Sequence, residues 1–339
     1  MEQSPRPAHC LVFPYPMQGH INPMHQFSKT LVSKGIKVTL VTTKFLSKSF
    51  QQLSGSMPVE TISDGFEGGY ASAESLEAYF SKFKKIGSET LTKLIEKLNA
   101  TGFPVDCIVY DAMMTWVLDV VKSFGLVSAI FFTQSCAVDN IYYHVIEWMS
   151  KQLRLRAIGP TIPRNCLNNQ KTREDDTDNG LQMFKPNTDA YMNWLNEQQD
   201  HSVIYVSFGS LAELNAEQMQ ELAYGIKQSG KHFLWVVRAS EEGVPMVAVP
   251  IWTDQRTNAK FVADVWRMGV RVDTDKNGVF KGEIVGHCIR EVMDGEKGKE
   301  VKTTSKRWMD MAREAVKEGG SSDISINEFV ASLTQHSKS

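Results

Sequence analysis

The chain of 339 residues is poor in cysteine and carries almost no net charge. Its five cysteines are scattered, without the Cys-x-x-Cys spacing of metal and redox sites, and an odd number of scattered cysteines predicts reduced thiols in a cytoplasmic protein. A formal net charge of -2 lacks the basic excess that nucleic acids and acidic membranes attract. We therefore expect neither nucleic acid nor membrane as a partner.

Long apolar runs and the common nucleotide motifs are absent as well. No stretch approaches the roughly 18 apolar residues of a membrane span. Pro14 and Pro16 interrupt the amino-terminal apolar stretch, so we expect no signal peptide. The sequence has no Gly-x-Gly-x-x-Gly fingerprint and no Walker box, which argues against a NAD-type dehydrogenase and an ATPase. Because it also has no His-Glu-x-x-His motif or cysteine cluster, we expect no metal site.

The sequence does contain short apolar runs that alternate with helical stretches, which predicts an α/β protein with parallel sheets. In the first half the predicted strands are 11–13, 38–42, 107–110 and 129–132, and the predicted helices include 82–98 and 116–123. In the second half the predicted strands are 203–208, 233–237 and 247–249, and the predicted helices are 216–227, 258–266, 282–293 and 301–317.

A polar stretch separates these two series, because prolines at 160 and 163 precede a segment rich in asparagine and aspartate. We therefore predict an amino-terminal domain over 1–160, a linker over 161–200 and a carboxyl-terminal domain over 201–325. Two α/β domains that face a common cleft are the expected architecture.

One histidine stands between a strand and a helix start. Residues 11–13 read as a buried strand, and Asn22 followed by Pro23 favours the opening of a helix. His20 therefore lies where open α/β sheets bind ligands. The positive end of the helix disfavours imidazolium, so we expect a neutral histidine that can accept a proton. The competing interpretation is a structural histidine, which is the commoner role of a lone one.

Asp111 strengthens the catalytic interpretation because it ends the predicted strand 107–110. A carboxylate beside an imidazole fixes the tautomer and stabilises imidazolium after proton uptake. The pair would suit deprotonation of a substrate hydroxyl. Alternatively, Asp111 caps a helix that begins near Met113. Covalent catalysis is not expected, since no serine or cysteine stands in a nucleophile elbow.

Three further polar positions follow predicted strands closely: Thr133, Ser210 after Gly209, and the pair Asp254 and Gln255. All should gather with His20 and Asp111 along the carboxyl edges of two sheets. The Ser210 hydroxyl and amide would suit a phosphate, although Gly-Ser at a strand end is often only a turn. A carboxylate next to an amide can bind vicinal sugar hydroxyls, although a polar loop that caps a helix at residue 258 explains them as well.

Together these residues resemble the plant family of UDP-sugar-dependent glycosyltransferases, which have two facing Rossmann-like domains of the GT-B type. The resemblance covers most of the chain. The most specific segments are 13–23 (Phe-Pro-Tyr-Pro-Met-Gln-Gly-His-Ile-Asn-Pro), 62–66, 109–112, 205–211, 233–238 and 243–255. The first and third look like the branch that glucosylates small phenolics, carboxylic acids and terpenoids.

The resemblance implies a role for each candidate. His20 would be the general base and Asp111 its charge partner, while Met17 and Met113 would line the acceptor pocket. In the donor site, Thr133 would contact the sugar, Ser210 the diphosphate, and Asp254 and Gln255 the sugar hydroxyls. The reaction would be metal-free displacement with inversion, from UDP-glucose to a β-glucoside. The last helices would pack back toward the amino-terminal domain, and we expect a monomer.

The sequence departs from the family at two joins, near 145/146 and 242/243. The family's donor box opens with Trp-x-x-Gln and contains a His-Cys-Gly-Trp-Asn-Ser segment. At the second join this chain lacks both, and only 243–255 of the box remains. Few residues separate the predicted strands 233–237 and 247–249, and a parallel crossover needs about a dozen or more. These strands therefore cannot be parallel neighbours in one sheet, so either they form a hairpin or one of them is displaced. We expect an incomplete second domain. The alternative function is a truncated homologue that only binds a small ligand or a partner.

Overall fold

The computed structural model describes residues 6–47, 49–50, 57–147, 156–161, 188–208, 214–235, 245–251, 254–275 and 279–336. Within these ranges, strands and helices alternate and every strand pair is parallel, so the predicted α/β class is confirmed. The helices are α1 (Gln18–Ser33), α2 (Leu76–Asn99), α3 (Val117–Ser123), α4 (Cys136–Glu147), α5 (Thr188–Asn196), α6 (Ala216–Ser229), α7 (Gln255–Lys260), α8 (Gly282–Met293), α9 (Glu296–Val316) and α10 (Ser321–His336).

Contacts divide the described residues into two compact units. The first unit holds the residues up to Thr133 together with 156–161 and 315–336, and the second holds 134–147 and 188–314 with their gaps. The grouping by contacts thus assigns α4 to the second unit and α10 to the first. The boundaries 1–160, 161–200 and 201–325 stay a prediction, and most of the proposed linker lies outside the described residues.

The first unit is built on one five-stranded parallel sheet, in the order β3-β2-β1-β4-β5. Its strands are β1 (His9–Phe13), β2 (Lys37–Thr43), β3 (Val59–Ile62), β4 (Cys107–Asp111) and β5 (Val127–Phe131). Every residue of β1 and β4 is buried, as expected for central strands of a sheet covered on both faces. Helices α1 and α10 contribute to the core on one face, and α2 and α3 to the core on the other.

Helix α10 corrects the sequence analysis, which ended the chain with two helices. Four of its sixteen residues are serine, which has modest helix propensity. Tertiary contacts stabilise it instead: Ile326 and Leu333 are buried against α1, and the Phe329 ring lies 6.2 Å from that of Phe27. An ion pair of 2.6 Å between Lys34 and Asp323 adds to this contact.

The described residues of the second unit form two separate parallel sheets of two strands each. Strand β6 (Val203–Val206) pairs with β7 (His232–Trp235), and β8 (Met246–Ala248) pairs with β9 (Gly269–Arg271). Residues of both sheets share one core with α6 and α8. Because β7 and β8 belong to different sheets in the described structure, the prediction that they are not parallel neighbours is confirmed, and they form no hairpin there.

Helix boundaries in the second unit are close to those predicted, with one correction. Helix α8 has the predicted bounds, and α9 begins five residues before the predicted 301. The predicted helix 258–266 instead begins at Gln255, as α7, and passes into a turn of π-helix over Phe261–Val265. The start moves because the Asn258 amide already bonds to the Asp254 carbonyl, 2.9 Å away.

Candidate active site

Three of the candidate residues lie where neighbouring strands of the five-stranded sheet end. His20 follows β1, Asp111 is the last residue of β4, and Thr133 follows β5 by two residues. The register pairs Phe13 with Tyr110 and Asp111 with Phe131, so these ends lie level with one another. The order β1-β4-β5 therefore brings His20, Asp111 and Thr133 together at one edge of the sheet.

His20 lies inside the first turn of α1, which corrects the predicted helix start at Asn22. The amides of His20 and Ile21 both bond to the carbonyl of Met17, at 3.0 and 2.9 Å, and thereby begin the helix at Gln18. Pro23 is inside the helix, where it removes one backbone hydrogen bond. The earlier start carries the imidazole on a hydrogen-bonded turn instead of a loop.

The His20 imidazole is held by its Nδ1 atom. This nitrogen lies 2.7 Å from Oδ2 of Asp111 and 3.3 Å from the Thr133 hydroxyl. The His20 side chain is 17% exposed and that of Asp111 only 1%. Donation of the Nδ1 proton to the carboxylate leaves the lone pair on Nε2, which has no hydrogen-bond partner among the described residues. The arrangement can therefore accept a proton at Nε2 and stabilise the resulting charge.

Asp111 does not cap a helix near Met113, which was the alternative that the sequence left open. Its Oδ1 atom accepts a hydrogen bond of 2.9 Å from the amide of Met113, while Oδ2 faces His20. The first bond fixes the turn after β4, and the helix itself begins only at Val117. Because the carboxylate is anchored to the backbone, its position relative to the imidazole does not depend on a free rotamer.

The surroundings of His20 are aromatic. The Tyr15 ring packs edge-to-face on the imidazole with 5.4 Å between centroids, and Phe80 stacks on Tyr15 at 5.8 Å. Of the two methionines predicted to line the acceptor pocket, Met17 is partly buried in the same cluster and Met113 is exposed. Side chains of this kind suit a flat apolar ligand.

Two buried polar residues near this cluster escaped the sequence analysis. Tyr15 lies within the segment 13–23, which carries the family resemblance, but the sequence pattern assigns it no role of its own. Asp64 is 3% exposed and accepts hydrogen bonds from the Phe66 amide (3.0 Å) and the Tyr79 hydroxyl (3.0 Å). The sequence signal for Asp64 is its place in the segment 62–66, one of the segments that carry the family resemblance.

The donor-side candidates of the second unit are only partly described. Ser210 and Gly209 lie outside the described residues. Asp254 precedes α7 and accepts a hydrogen bond of 2.9 Å from the Asn258 side chain, while Oε1 of Gln255 accepts one of 2.9 Å from the Ile251 amide. Both side chains thus hold the start of α7 in place, but Asp254 at the N-cap makes no side-chain capping bond, unlike the cap at residue 258 of the alternative interpretation.

A serine directly before α4 contacts α7. The Ser135 hydroxyl donates a hydrogen bond of 2.6 Å to the Asn258 side chain. Burial raises the pKa of Asp139 to about 6, and the Asp254 carboxylate adds to the rise. One carboxylate oxygen of Asp139 is buried without a hydrogen-bond partner among the described residues.

Two kinds of feature are absent from the described part of the chain. Among those residues, His, Cys, Asp and Glu side chains form no group of three that could bind a metal ion. None of the helices there is long and apolar enough to cross a membrane.

Comparison with known proteins gives consistent relatives. The chain is 35% identical over 450 aligned positions to mogroside I-E synthase of Siraitia grosvenorii, covering 96% of this chain and 98% of that protein. It is 36% identical over 442 positions to UDP-glycosyltransferase 74F2 of Arabidopsis thaliana, covering 95% and 98%. Flavonol 7-O-beta-glucosyltransferase UGT74F1 of the same plant is 35% identical. No family model matches the sequence.

Solved structures lead to the same group. Os79 from O. sativa in complex with UDP superposes with a TM-score of 0.85 at 28% identity, covering 96% of this chain and 100% of that one. The complex of Os79 with U2F and a trichothecene superposes with a TM-score of 0.82, also at 28% identity. UGT2 of Phytolacca americana shares the fold, with a TM-score of 0.73 at 19% identity.

The lengths of these alignments bear on the two predicted joins. The alignment with the Siraitia protein spans 450 positions, whereas the whole chain has 339 residues. More than a hundred aligned positions therefore have no residue in this chain, as internal deletions require. Over what remains, the identity and coverage stay high on both sides. The chain belongs to the family of plant UDP-glycosyltransferases, with internal deletions.

Proposed function

We propose that this chain transfers glucose from UDP-glucose to a hydroxyl or carboxyl group of a small plant metabolite, with inversion at the anomeric carbon. The observation that carries the proposal is the 2.7 Å contact between Nδ1 of His20 and Oδ2 of Asp111 at the carboxyl edge of the sheet. Family membership supplies the co-substrate, because the relatives are UDP-glycosyltransferases and Os79 binds UDP.

In the proposed step, Nε2 of His20 takes the proton of the acceptor hydroxyl. The acceptor oxygen forms a bond to the anomeric carbon while the bond from that carbon to the UDP oxygen breaks, and UDP leaves with the bonding electrons. Asp111 stabilises the imidazolium that forms and keeps Nε2 in the accepting tautomer. Attack from the side opposite UDP converts the α-linked sugar into a β-glucoside.

The remaining roles are inferred from position. Thr133 lies within 3.3 Å of the His20 ring, which suits a contact to the sugar beside the reacting atoms. For Asp254 and Gln255 we propose contacts to the sugar hydroxyls, and for Ser210 a contact to the diphosphate. Met17 and Met113 would line the acceptor pocket, whose occupants we expect among phenolics, carboxylic acids and terpenoids. A monomeric state and a cytoplasmic location remain predictions from the sequence.

Incubation of the chain with UDP-glucose and a panel of phenols and acids tests the proposal. We expect a product heavier by one glucose unit in mass spectrometry, whose anomeric proton has the large coupling constant of a β-glucoside in NMR. His287→Ala, which changes an exposed histidine on α8, should form the same product. An α-glucoside, or no product from any acceptor, would refute the proposed reaction.

A further inference from the structure

Tyr15 is the most constrained aromatic residue next to His20. It is 2% exposed, and its ring is held between the edge of the imidazole and the face of Phe80, at 5.4 and 5.8 Å. The backbone holds it as well, since its carbonyl accepts a hydrogen bond of 2.7 Å from the Met17 amide. The position of the Tyr15 ring is therefore fixed before any ligand binds.

The Tyr15 hydroxyl, by contrast, has no hydrogen-bond partner among the described residues although it is buried. A buried hydroxyl without a partner is destabilising, so such a group in a folded protein calls for an explanation. Burial raises the pKa of Tyr15, and the nearby Tyr70, Asp111 and Asp64 add to the rise. The group therefore stays protonated and remains a hydrogen-bond donor.

The two nearby carboxylates determine what the hydroxyl can bind. Asp111 and Asp64 already accept hydrogen bonds from other donors, so neither carboxylate requires a hydrogen bond from Tyr15. Their negative charge disfavours an anionic group at the Tyr15 hydroxyl. A neutral oxygen such as a carbonyl, a lactone or an ether is the remaining partner that accepts a hydrogen bond at low cost.

We propose that the Tyr15 hydroxyl donates a hydrogen bond to a neutral oxygen of the acceptor substrate. Tyr15 thereby favours aromatic acceptors that carry such an oxygen in addition to the hydroxyl that receives the sugar. The inference rests on the proposed function, because it assumes that the reacting hydroxyl lies at Nε2 of His20.

Two bicyclic phenols of similar size separate this effect from general damage. Hydroxycoumarin carries a lactone carbonyl, and naphthol has no oxygen besides its hydroxyl. In Tyr15→Phe the aromatic ring remains beside His20 and only the donor is lost. We expect the ratio of kcat/KM for hydroxycoumarin to that for naphthol to fall about tenfold, the usual effect of one lost hydrogen bond.

Tyr110→Phe is the matched control. Tyr110 is fully buried on β4, the neighbour of the strand β1 that Tyr15 follows. Its hydroxyl likewise lacks a partner among the described residues. Because it makes no ring contact with His20 in the described structure, the ratio should stay at the wild-type value. An unchanged ratio in Tyr15→Phe, whether both rates fall or neither does, would overturn the proposal and assign the hydroxyl to a buried water or to no ligand.

Binding of the two phenols without UDP-glucose separates this inference from the proposed function. Quenching of intrinsic fluorescence should show hydroxycoumarin about tenfold weaker on Tyr15→Phe than on the wild type, with naphthol changed far less. If the wild type forms no glucoside but this difference is seen, the proposed function fails and the role of Tyr15 stands. If glucoside forms and the difference is absent, the role of Tyr15 fails alone.

Discussion

Parallel strands are buried to different extents in the two units of this protein. In the first unit β1 and β4 are central strands of a five-stranded sheet and are buried throughout. In the second unit each sheet has two strands, and large apolar residues on them remain open: Tyr205 on β6 is 45% exposed and Met246 on β8 is 37% exposed. Each unit nevertheless has apolar core residues of its own.

The difference teaches that connection length decides whether parallel strands can join. Residues 14–36 connect β1 to β2 and include the whole of α1, whereas only residues 236–245 connect β7 to β8. A parallel crossover needs about a dozen residues or more, usually with a helix. The dyad of His20 and Asp111 depends on adjacent strand ends, and in the part of the chain that the structure describes the extended sheet of the first unit supplies them.

The largest expected effect concerns the dyad in the complete sheet. Asp111→Asn keeps the size of the side chain but removes the charge that stabilises imidazolium, so kcat with a phenol should fall about a hundredfold or more. Asp106→Asn is the control, because Asp106 precedes the other end of β4 and bonds to Arg6. Initial rates of glucoside formation measure both, and equal rates for the two variants would contradict the assignment.

The second prediction compares the sheets directly. Amides of β1 and β4 should exchange with deuterium at least about a hundredfold more slowly than those of β6 and β8, since exposed two-stranded ladders open locally. Hydrogen exchange followed by mass spectrometry resolves the four strands as peptides. Similar protection in both units would show that the divided sheets are as stable as the continuous one.

Packing between α6 and α8 provides the third prediction. A Cβ atom on Gly225 would lie 2.5 Å from the carbonyl oxygen of Gly282 and 2.7 Å from Cβ of Val285. Gly225→Ala must push the helices apart, and the cost of about 1–3 kcal/mol exceeds the gain in helix propensity. Denaturant unfolding should show a lower free energy of unfolding for the second unit alone. The exposed Gln220→Ala on the same helix serves as the control and should change stability little.

The smallest effect concerns Asp139 in the second unit. Its pKa is raised from 3.8 to about 6, so the folded state binds its proton more tightly than the unfolded state does. The stabilisation is present below pH 4 and is lost as the pH rises through 6. Asp139→Asn should therefore be more stable than the wild type at pH 7, by about 1 kcal/mol because the group is only partly buried. Melting at pH 4 should show no such gain.

Sequence reasoning was most successful where local pattern and tertiary structure agree. The strands now seen as β1, β2 and β4, and helix α8, were located from apolar runs and periodicity. The sequence also predicted that His20, Asp111 and Thr133 gather at one edge of a sheet. Each follows a predicted strand, and the ends of adjacent parallel strands meet at one edge.

What the sequence did not reveal depends on tertiary contacts. The start of α1 was placed at Asn22 because Pro23 looks like a first-turn residue, but the bonds to the Met17 carbonyl begin the helix earlier. Helix α10 has weak propensity and is stabilised by its packing on α1. No spacing rule could show that the Tyr15 hydroxyl lacks a partner, because that requires the positions of all its neighbours.

The proton-accepting role of His20 is tested most directly by His20→Ala with two classes of acceptor. A carboxylate is already ionised at pH 7 and needs no base, whereas a phenol or alcohol must lose a proton. We predict that His20→Ala lowers transfer to the hydroxyl acceptor about 10²- to 10⁴-fold and transfer to the carboxylate acceptor far less. Equal losses for both acceptors would contradict the account.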